Sequence, residues 1–567
     1  MKGNYGFDAS GSLADEQQDV IDEIFEVLAS GESSFAFHGA AGTGKTYTCG
    51  HLASEIVKRY GSNSILFISP THAASRILRT KLPRATAKVL TVAQFVNARP
   101  HRVFDETKFA LPCADEHEKI AENLHTYYLG GKDGHKLNLK LVMSDESSMI
   151  TQASADCIHS ICMHLGAVYG LVGDPYQLPP VMDDEERKAY YEAMGVQKLN
   201  DDIIYSKDMC DQFRTSLVGP FRLTKVRRNS GAILRFATHV RENFREDHKL
   251  PSQPELDPDG VSGIYIARSY RDFIRSLAEA ILESKDGIDV AAIAYTNNTV
   301  QKLTNDVRSL LYPGTWDRQF SAGEAVLLPK QTPLAPWFTE DGQVCVEQFS
   351  TANAFYSTTH CLVKKVEIVE LDLNFGSFEY ETKERKTKKS LAFTMRGTFQ
   401  KLLLKSVYYS KSGVVYCPVF PDKEPKSHYK SSKRKVKYLM DQGIIPSKGE
   451  RGYDDHVTGK ILQCMEAFLP SISSANTMTI HKAQGCTLNQ AYIHHDLERC
   501  AEEWKNNLLY TALTRASTQE IIFNPLSSSE ESVLPRLEIG KHQLSLPPSE
   551  RKPPKLSEQE IDDLLEF

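Results

Sequence analysis

The chain has 567 residues, 41% of them hydrophobic and 25% charged, with a formal net charge of −6 and a mean hydropathy of −0.37. That length suggests about three or four domains, each able to bury a core of its own. No apolar run approaches the ~20 residues a membrane span needs. The first residues hold no signal-peptide core, and eleven cysteines without a repeated spacing read as reduced thiols in a cytoplasm.

Residues 1–12 are Gly/Ser-rich. An amphipathic helix follows, with Val20, Ile21, Ile24, Phe25 and Leu28 at helical spacing. Gln17 at its head carries a two-faced amide that can read an adenine edge, although a lone glutamine there is more often a solvated one. The apolar run from Ser34 to His38 predicts a buried strand, and Tyr47 to Tyr60 a helix with Leu52, Ile56 and Val57 on one face. Between them lies Gly39-Ala40-Ala41-Gly42-Thr43-Gly44-Lys45-Thr46. Strand, glycine loop and helix make the context of a phosphate-binding P-loop, whose backbone N–H groups turn inward around phosphate oxygens at a helix N-terminus. Lys45 would reach the β/γ-phosphates of ATP, and the Thr46 hydroxyl would hold Mg²⁺.

Ser64 to Ser69 reads as a parallel strand ending in Pro70-Thr71-His72, and Thr91 to Phe95 as a second such element. From Asn97 to Lys136 the pattern is irregular and polar, as in a small insertion. Leu139 to Ser144 restarts the sheet and delivers Asp145-Glu146. Behind a P-loop, this pair predicts a Mg²⁺ ligand in Asp145 and a water-polarising acid in Glu146. Another strand, Ala167 to Val172, leads into a proline-stiffened loop with Gln177 placed to sense the γ-phosphate. Leu223 to Arg228 sets guanidinium groups at a strand end.

A second α/β unit starts near Gly287, with a strand over 288–295, a turn at Thr296-Asn297-Asn298 and a helix to Leu311. Between Lys383 and Lys437 roughly sixteen basic residues face three acidic ones, about +13, so the remainder carries about −19. Tyr408, Tyr409, Tyr416, Tyr429 and Tyr438 are interspersed there, which predicts a nucleic-acid contact against the blander reading of a solvated face. The sheet resumes at Thr477 to Thr487 and Ala491 to His495, and Leu508 to Arg515 predicts a helix with an arginine in its last turn. No P-loop occurs in this half. Arg228 and Arg515 would neutralise charge on the transferred phosphoryl. The chain closes on a Pro-rich spacer and an acidic peptide, 556–567, with Ile561, Leu564, Leu565 and Phe567 on one edge.

Taken together and in this order, these motifs resemble superfamily 1 DNA helicases of the RecD-like group, and within it the Dda type. The resemblance rests on GAAGTGKT, SPTHAA, SDESSM, GDPYQLPPV, LTKVRR, AYTNNTVQKL, TIHKAQG and LLYTALTRA, between Gly39 and Ala516. It implies an α/β fold of two RecA-like motor domains, one over 1–96 and 137–265 and the other over 266–344 and 466–530. A pin insertion at 97–136 carries Phe104 or Phe109 as strand wedge. A basic SH3-like β insertion covers 345–465, and 531–567 forms the linker and terminal peptide. It implies ATP-driven 5′-to-3′ stepping on single-stranded DNA and unwinding of forked DNA in replication, recombination or repair, in a bacteriophage-type cytoplasmic monomer. Gln17 becomes the adenine reader, and Thr71, His72, Thr91, Asn297, His481, Lys482 and Thr487 fall in strand-contacting motifs. The terminal peptide resembles those that dock on sliding clamps or single-strand-binding proteins, with folding back onto the motor an equal alternative. TIHKAQG is shared with Pif1-type helicases, which leaves a Pif1-like or RNA-preferring motor as one rival. A nucleotide-gated DNA-binding scaffold is the other.

Overall fold

The computed structural model describes residues 12–537 apart from 83–87, 98–110, 129–137, 181–209, 211–212, 214–220, 228–230, 285–286, 314–319, 335–337, 350–352, 382–386, 409, 420–421, 446–455, 501 and 528–530. Phe104, Phe109, Arg228, Tyr409 and the terminal peptide therefore lie outside the described residues. The chain divides into two compact units. The first joins 1–273, 293–299 and 479–535, and the second joins 274–292, 300–478 and 536–567.

The first unit holds a six-stranded sheet of β1 (Ser34–Gly39), β2 (Ile65–Ser69), β3 (Lys88–Thr91), β4 (Leu141–Ser144), β5 (Val168–Gly173) and β6 (Phe221–Leu223). Their spatial order is β3-β2-β4-β5-β1-β6, and every pairing is parallel. Parallel strands are covered on both faces, which explains runs such as Ile65-Leu66-Phe67-Ile68. Side chains alternate across the pleat, so Leu66 and Ile68 enter one core with Phe95, Ile158 and Ile161, while Ile65 and Phe67 enter another with Ile24, Leu52 and Ile56. The covering helices are α1 (Asp15–Ser30), α2 (Lys45–Tyr60), α3 (His72–Lys81), α4 (Val92–Val96), α5 (His117–Asn123) and α6 (Gln152–Leu165).

The stretch 111–128 is not detached from this sheet. Ile120, Ala121 and Leu124 are buried in the core that α6 closes, and His117 bonds Ser160 at 2.9 Å and Cys157 at 3.4 Å. The polar pattern that reads as an insertion is that of a helix with one narrow apolar face. Cys157 and Cys162 lie buried in the same core as packing residues.

After α7 (Gly231–Glu242) the chain continues through β7 (Glu255–Leu256), β8 (Gly263–Ala267) and α8 (Tyr270–Glu283). A second six-stranded sheet has the order β17-β9-β18-β19-β8-β7, where β9 is Val290–Ala294, β17 Thr477–Thr479, β18 Leu488–His494 and β19 Ala516–Phe523. β8, β18 and β19 are parallel, as a second α/β layer requires. Asp496, just past β18, accepts the Tyr295 and Thr296 N–H groups at 3.0 and 3.2 Å, which fixes the turn that opens α9 (Asn297–Leu311).

The second unit is built on a five-stranded sheet, β15-β14-β13-β10-β16. β10 is Ala325–Leu328, β13 Thr359–Glu381, β14 Lys388–Ser406, β15 Ser412–Pro418 and β16 Ser473–Ser474, and a small ribbon pairs β11 (Thr332–Pro333) with β12 (Ala354–Phe355). β13 and β14 form a long antiparallel hairpin from Cys361↔Ser406 to Glu381↔Lys388. Its base packs Cys361, Val363, Leu402 and Leu404 into one core, and its middle packs Phe375, Phe393 and Met395 into another. α10 (Glu424–Asp441) and α11 (Val457–Glu466) close the second core. Where the resemblance implies β structure, the basic run from Lys426 to Lys437 is thus helical. Pro425, Ser432, Val436 and Leu439 recur at helical spacing and are its buried side.

Candidate functional site

Five of the six strands of the first sheet deliver predicted site residues at their carboxyl ends, where open α/β sheets place ligands. The P-loop leaves β1, Thr71 follows β2, Thr91 ends β3, Asp145-Glu146 follow β4 and Gln177 follows β5. Gly42 and Gly44 take φ of +82° and +95°, a left-handed turn that favours glycine. Thr43 bonds the Ala40 carbonyl at 2.9 Å and fills the space a side chain on Gly39 would need, since a Cβ there would meet its hydroxyl at 2.6 Å. The Lys45 ammonium donates to the Gly39 and Ala40 carbonyls at 2.7 and 3.1 Å. It is therefore held over the loop's mouth rather than in solvent.

Gln17 is buried, and its Oε1 accepts the Ala14 N–H at 3.2 Å. Its Nε2 has no hydrogen-bond partner, and it sits where a Cβ on Gly44 would be, 2.6 Å away. A buried unpaired amide is costly, and one bordering a P-loop suits the acceptor edge of an adenine. The residues fit ATP on that ground. For Mg²⁺ the donor set is one hydroxyl, Thr46, and one carboxylate, Asp145. A Mg²⁺ site of this kind takes its remaining ligands from phosphates and water. Among the described residues, no group of three or more His, Cys, Asp or Glu is placed to hold a metal by itself.

Asp145 is fixed to the sheet by its N–H on the Ile68 carbonyl at 2.9 Å. Burial, followed by the neighbouring Glu146 charge, pushes its carboxyl up to about 6, against the pull of Lys45. Glu146 adopts φ +54°, an unusual conformation for a side chain of its size, with its N–H on the Asp145 carboxylate at 3.0 Å. The Gln484 amide donates to the Glu146 carboxylate at 3.3 Å. Gln484 follows the short helix α12 (Ile480–Ala483), in the motif that restarts the second sheet.

Helix α13 (Glu502–Leu513) supplies the rest. The Tyr510 hydroxyl accepts the P-loop N–H of Ala41 at 3.2 Å and donates to Asp174 at 2.8 Å. Asn507, one turn earlier, donates to the Tyr176 and Gln177 carbonyls at 3.1 and 2.8 Å. Gln177 is buried, with its side-chain oxygen unpaired. Arg515 lies two residues past the helix rather than in its last turn, and only 2% of it is exposed. It donates to the Thr511 carbonyl at 2.8 Å, the Thr514 hydroxyl at 2.8 Å and the Cys486 carbonyl at 3.4 Å. Burial pulls this guanidinium below its ordinary value, and the Glu146 carboxylate pulls the other way. A buried cation held by neutral groups keeps its charge for an incoming anion.

Lys45, Glu146, Gln177 and Arg515 thus belong to one compact unit, linked through Gln484, Tyr510, Asn507 and Asp174. Those four linking residues were not assigned from the sequence. Asn507 and Tyr510 share an i, i+3 face, the signal that could have found them. Arg227, exposed beside the loop, donates its N–H to the Gly42 carbonyl at 2.8 Å.

The strand-contacting candidates fall into two groups. Thr71 caps α3 by accepting the Ala74 N–H at 3.1 Å, with half-buried His72 beside it. Thr91 caps α4 in a reciprocal pair with Gln94 at 3.1 and 2.9 Å, and its pairing opposite Ser69 sets both threonines at adjacent strand ends. In the second group Asn297, Lys482 and Thr487 are exposed. Burial holds the half-buried His481 imidazole below its ordinary value, so it is neutral at pH 7.

Residues 12–209 match the AAA domain family. An ATP-dependent DNA helicase, dda, of Enterobacteria phage T4 is 23% identical over 331 residues, which cover 58% of this chain and 64% of that relative. The match spans less than two thirds of that relative's length. Among solved structures it is similar to a Bacteroides Pif1 helicase in complex with ADP-AlF3 and single-stranded DNA, at 14% identity, 94% and 97% coverage and a TM-score of 0.45. It is similar also to a Candida albicans Pif1 helicase, at 14% identity, 94% and 98% coverage and a TM-score of 0.44. No helix among the described residues is long and apolar enough to cross a membrane.

Proposed function

We propose that this protein is an ATP-dependent DNA helicase that translocates 5′-to-3′ on single-stranded DNA and unwinds forked duplex, with Mg²⁺ as its metal. One observation carries the reading. Residues from the far end of the chain touch the ATP-site machinery itself, Gln484 on Glu146 and Tyr510 on the P-loop. A scaffold that merely bound nucleotide would need neither a water-polarising acid nor a second segment to orient it.

Lys45 and Arg515 supply positive charge to the β/γ-phosphates from two segments of the chain, and charge stabilisation of this kind dominates phosphoryl transfer. Glu146, oriented by Gln484, takes a proton from the attacking water. Thr46 and Asp145 would hold Mg²⁺, which would supply neutralising charge to the phosphates. Gln177 is tied through Asn507 to α13, so cleavage at the γ-position is felt by the segment that bears Arg515. Thr71, His72 and Thr91 on one sheet, with Asn297, His481, Lys482 and Thr487 on the other, are the groups we assign to the strand. Strand displacement on 5′-tailed and 3′-tailed duplexes of DNA and RNA tests this. Unwinding of the 5′-tailed DNA duplex alone is expected. No unwinding despite DNA-stimulated hydrolysis, or a preference for RNA, would overturn the proposal.

A further inference from the structure

The second unit carries a groove of about 640 Å³ along α10. One wall is a stripe of cations, Lys423, Lys426, Lys430 and Arg434, and the other includes Leu469 and Pro470. Offsets of three, four and four residues keep the four cations on one helical face over a rise of about 16 Å. All four are exposed, and none forms an ion pair with another described residue. The acids nearby are already committed. Asp422 accepts the Thr398 and Glu424 N–H groups at 2.8 and 2.9 Å, and Glu424 pairs with Arg396 at 3.0 Å. A Cβ on Gly397 would meet Pro425 at 2.6 Å, so its absence lets the start of α10 seat closely on β14. The stripe is therefore borne by a rigid element.

Tyr408, Tyr416 and Tyr429 do not serve this groove, and Tyr438, exposed one turn past Arg434, is not part of its lining. Tyr416 and Tyr429 pack against the core, and Tyr408 bonds His360 at 2.7 Å. No aromatic side chain among the described residues lines the groove. Proteins that hold single strands stack bases on aromatic platforms, whereas a duplex offers a rigid row of phosphates about 3.4 Å apart along the axis on each strand. We infer that the α10 groove binds the phosphodiester backbone of duplex DNA, a contact separate from the strand-tracking residues of the motor. Ser427 and Ser431, between the cations, add hydroxyl donors to phosphate oxygens.

The inference rests on the DNA-motor reading for its ligand, and the two fail separately. Strand displacement and DNA-stimulated hydrolysis by the unaltered protein test the motor. The groove is tested by equilibrium binding of a blunt duplex and of a single-stranded oligonucleotide of equal length across a salt series, using the full chain. Each duplex phosphate contact adds about 0.9 to the log–log salt slope. Lys426→Ser, Lys430→Ser and Arg434→Ser together should flatten the duplex slope by about 2 to 3 and leave the single-strand slope in place. Arg434→Gln alone, the check against a folding defect, should flatten it by about 1. Replacing Lys426 and Lys430 by Arg should preserve it. An unchanged duplex slope, or an equal loss on single strands, overturns the inference.

Discussion

Glu146 is where backbone and chemistry meet. Its left-handed φ sets the carboxylate where Gln484 can hold it, a contact that joins two segments far apart in sequence. Glu146→Gln should keep nucleotide affinity while turnover falls by about 10²–10⁴, read as phosphate release beside fluorescent-nucleotide binding. Wild-type turnover in that variant would assign the acid elsewhere. Lys45→Ala should abolish hydrolysis under the same assay. Tyr510→Phe leaves Asp174 and the Ala41 N–H each short of a buried partner. A loss of roughly 1–3 kcal/mol in denaturant unfolding is expected, and an unchanged midpoint would show that water replaces the hydroxyl. Asp145, pushed up to about 6, must be ionised to hold Mg²⁺. At pH 5 only about a tenth would be charged, so Mg²⁺-dependent nucleotide affinity should fall about tenfold from pH 7. A flat affinity between those values would remove Asp145 from the metal site.

At the scale of elements, some strands and helices announce themselves and others do not. β1, the P-loop and α2 are legible because a glycine turn at fixed spacing sits between a continuous apolar run and a 3.6-residue period. α10 was obscured by its charge. Its buried positions, Pro425, Ser432, Val436 and Leu439, are few and dispersed, and seven Lys/Arg between Lys423 and Lys437 outnumber them. The long hairpin hides in the same way, because charges occupy its outer face. Glu367, for example, lies opposite Lys401 and pairs with it at 3.2 Å. Tyr510 and Gln484 stood inside motifs already marked, yet their partners lie more than 330 residues away, a distance no local pattern encodes.

β19 holds an unsatisfied acid that sequence patterning would put at a surface. Glu520 is fully buried, neither carboxylate oxygen has a partner, and burial pushes its carboxyl well above the ordinary 4.5. Because the folded value is the higher one, its contribution favours folding below about pH 4.5 and is lost as pH rises. Glu520→Gln should therefore stabilise the protein at pH 8 by on the order of 1–3 kcal/mol. The gain should vanish near pH 4, and equal unfolding midpoints at pH 8 would contradict this account.

The whole molecule segregates its charge, so that an overall −6 conceals a strongly basic stretch between Lys383 and Lys437. It also segregates its chain, because the first unit is made of three stretches that bracket most of the second. Arg515 follows Lys45 by 470 residues. At synthesis rates of about 5–20 residues per second, roughly 25 to 95 s separate the emergence of these two cations from the ribosome. A nascent chain that has made only its P-loop half lacks Gln484, Tyr510 and Arg515. A fragment ending at 478 should accordingly bind ATP without consuming it, and steady hydrolysis by that fragment would refute the point. The interleaved order of the chain would then keep an unfinished polypeptide from idling as an ATPase before it can grip a strand.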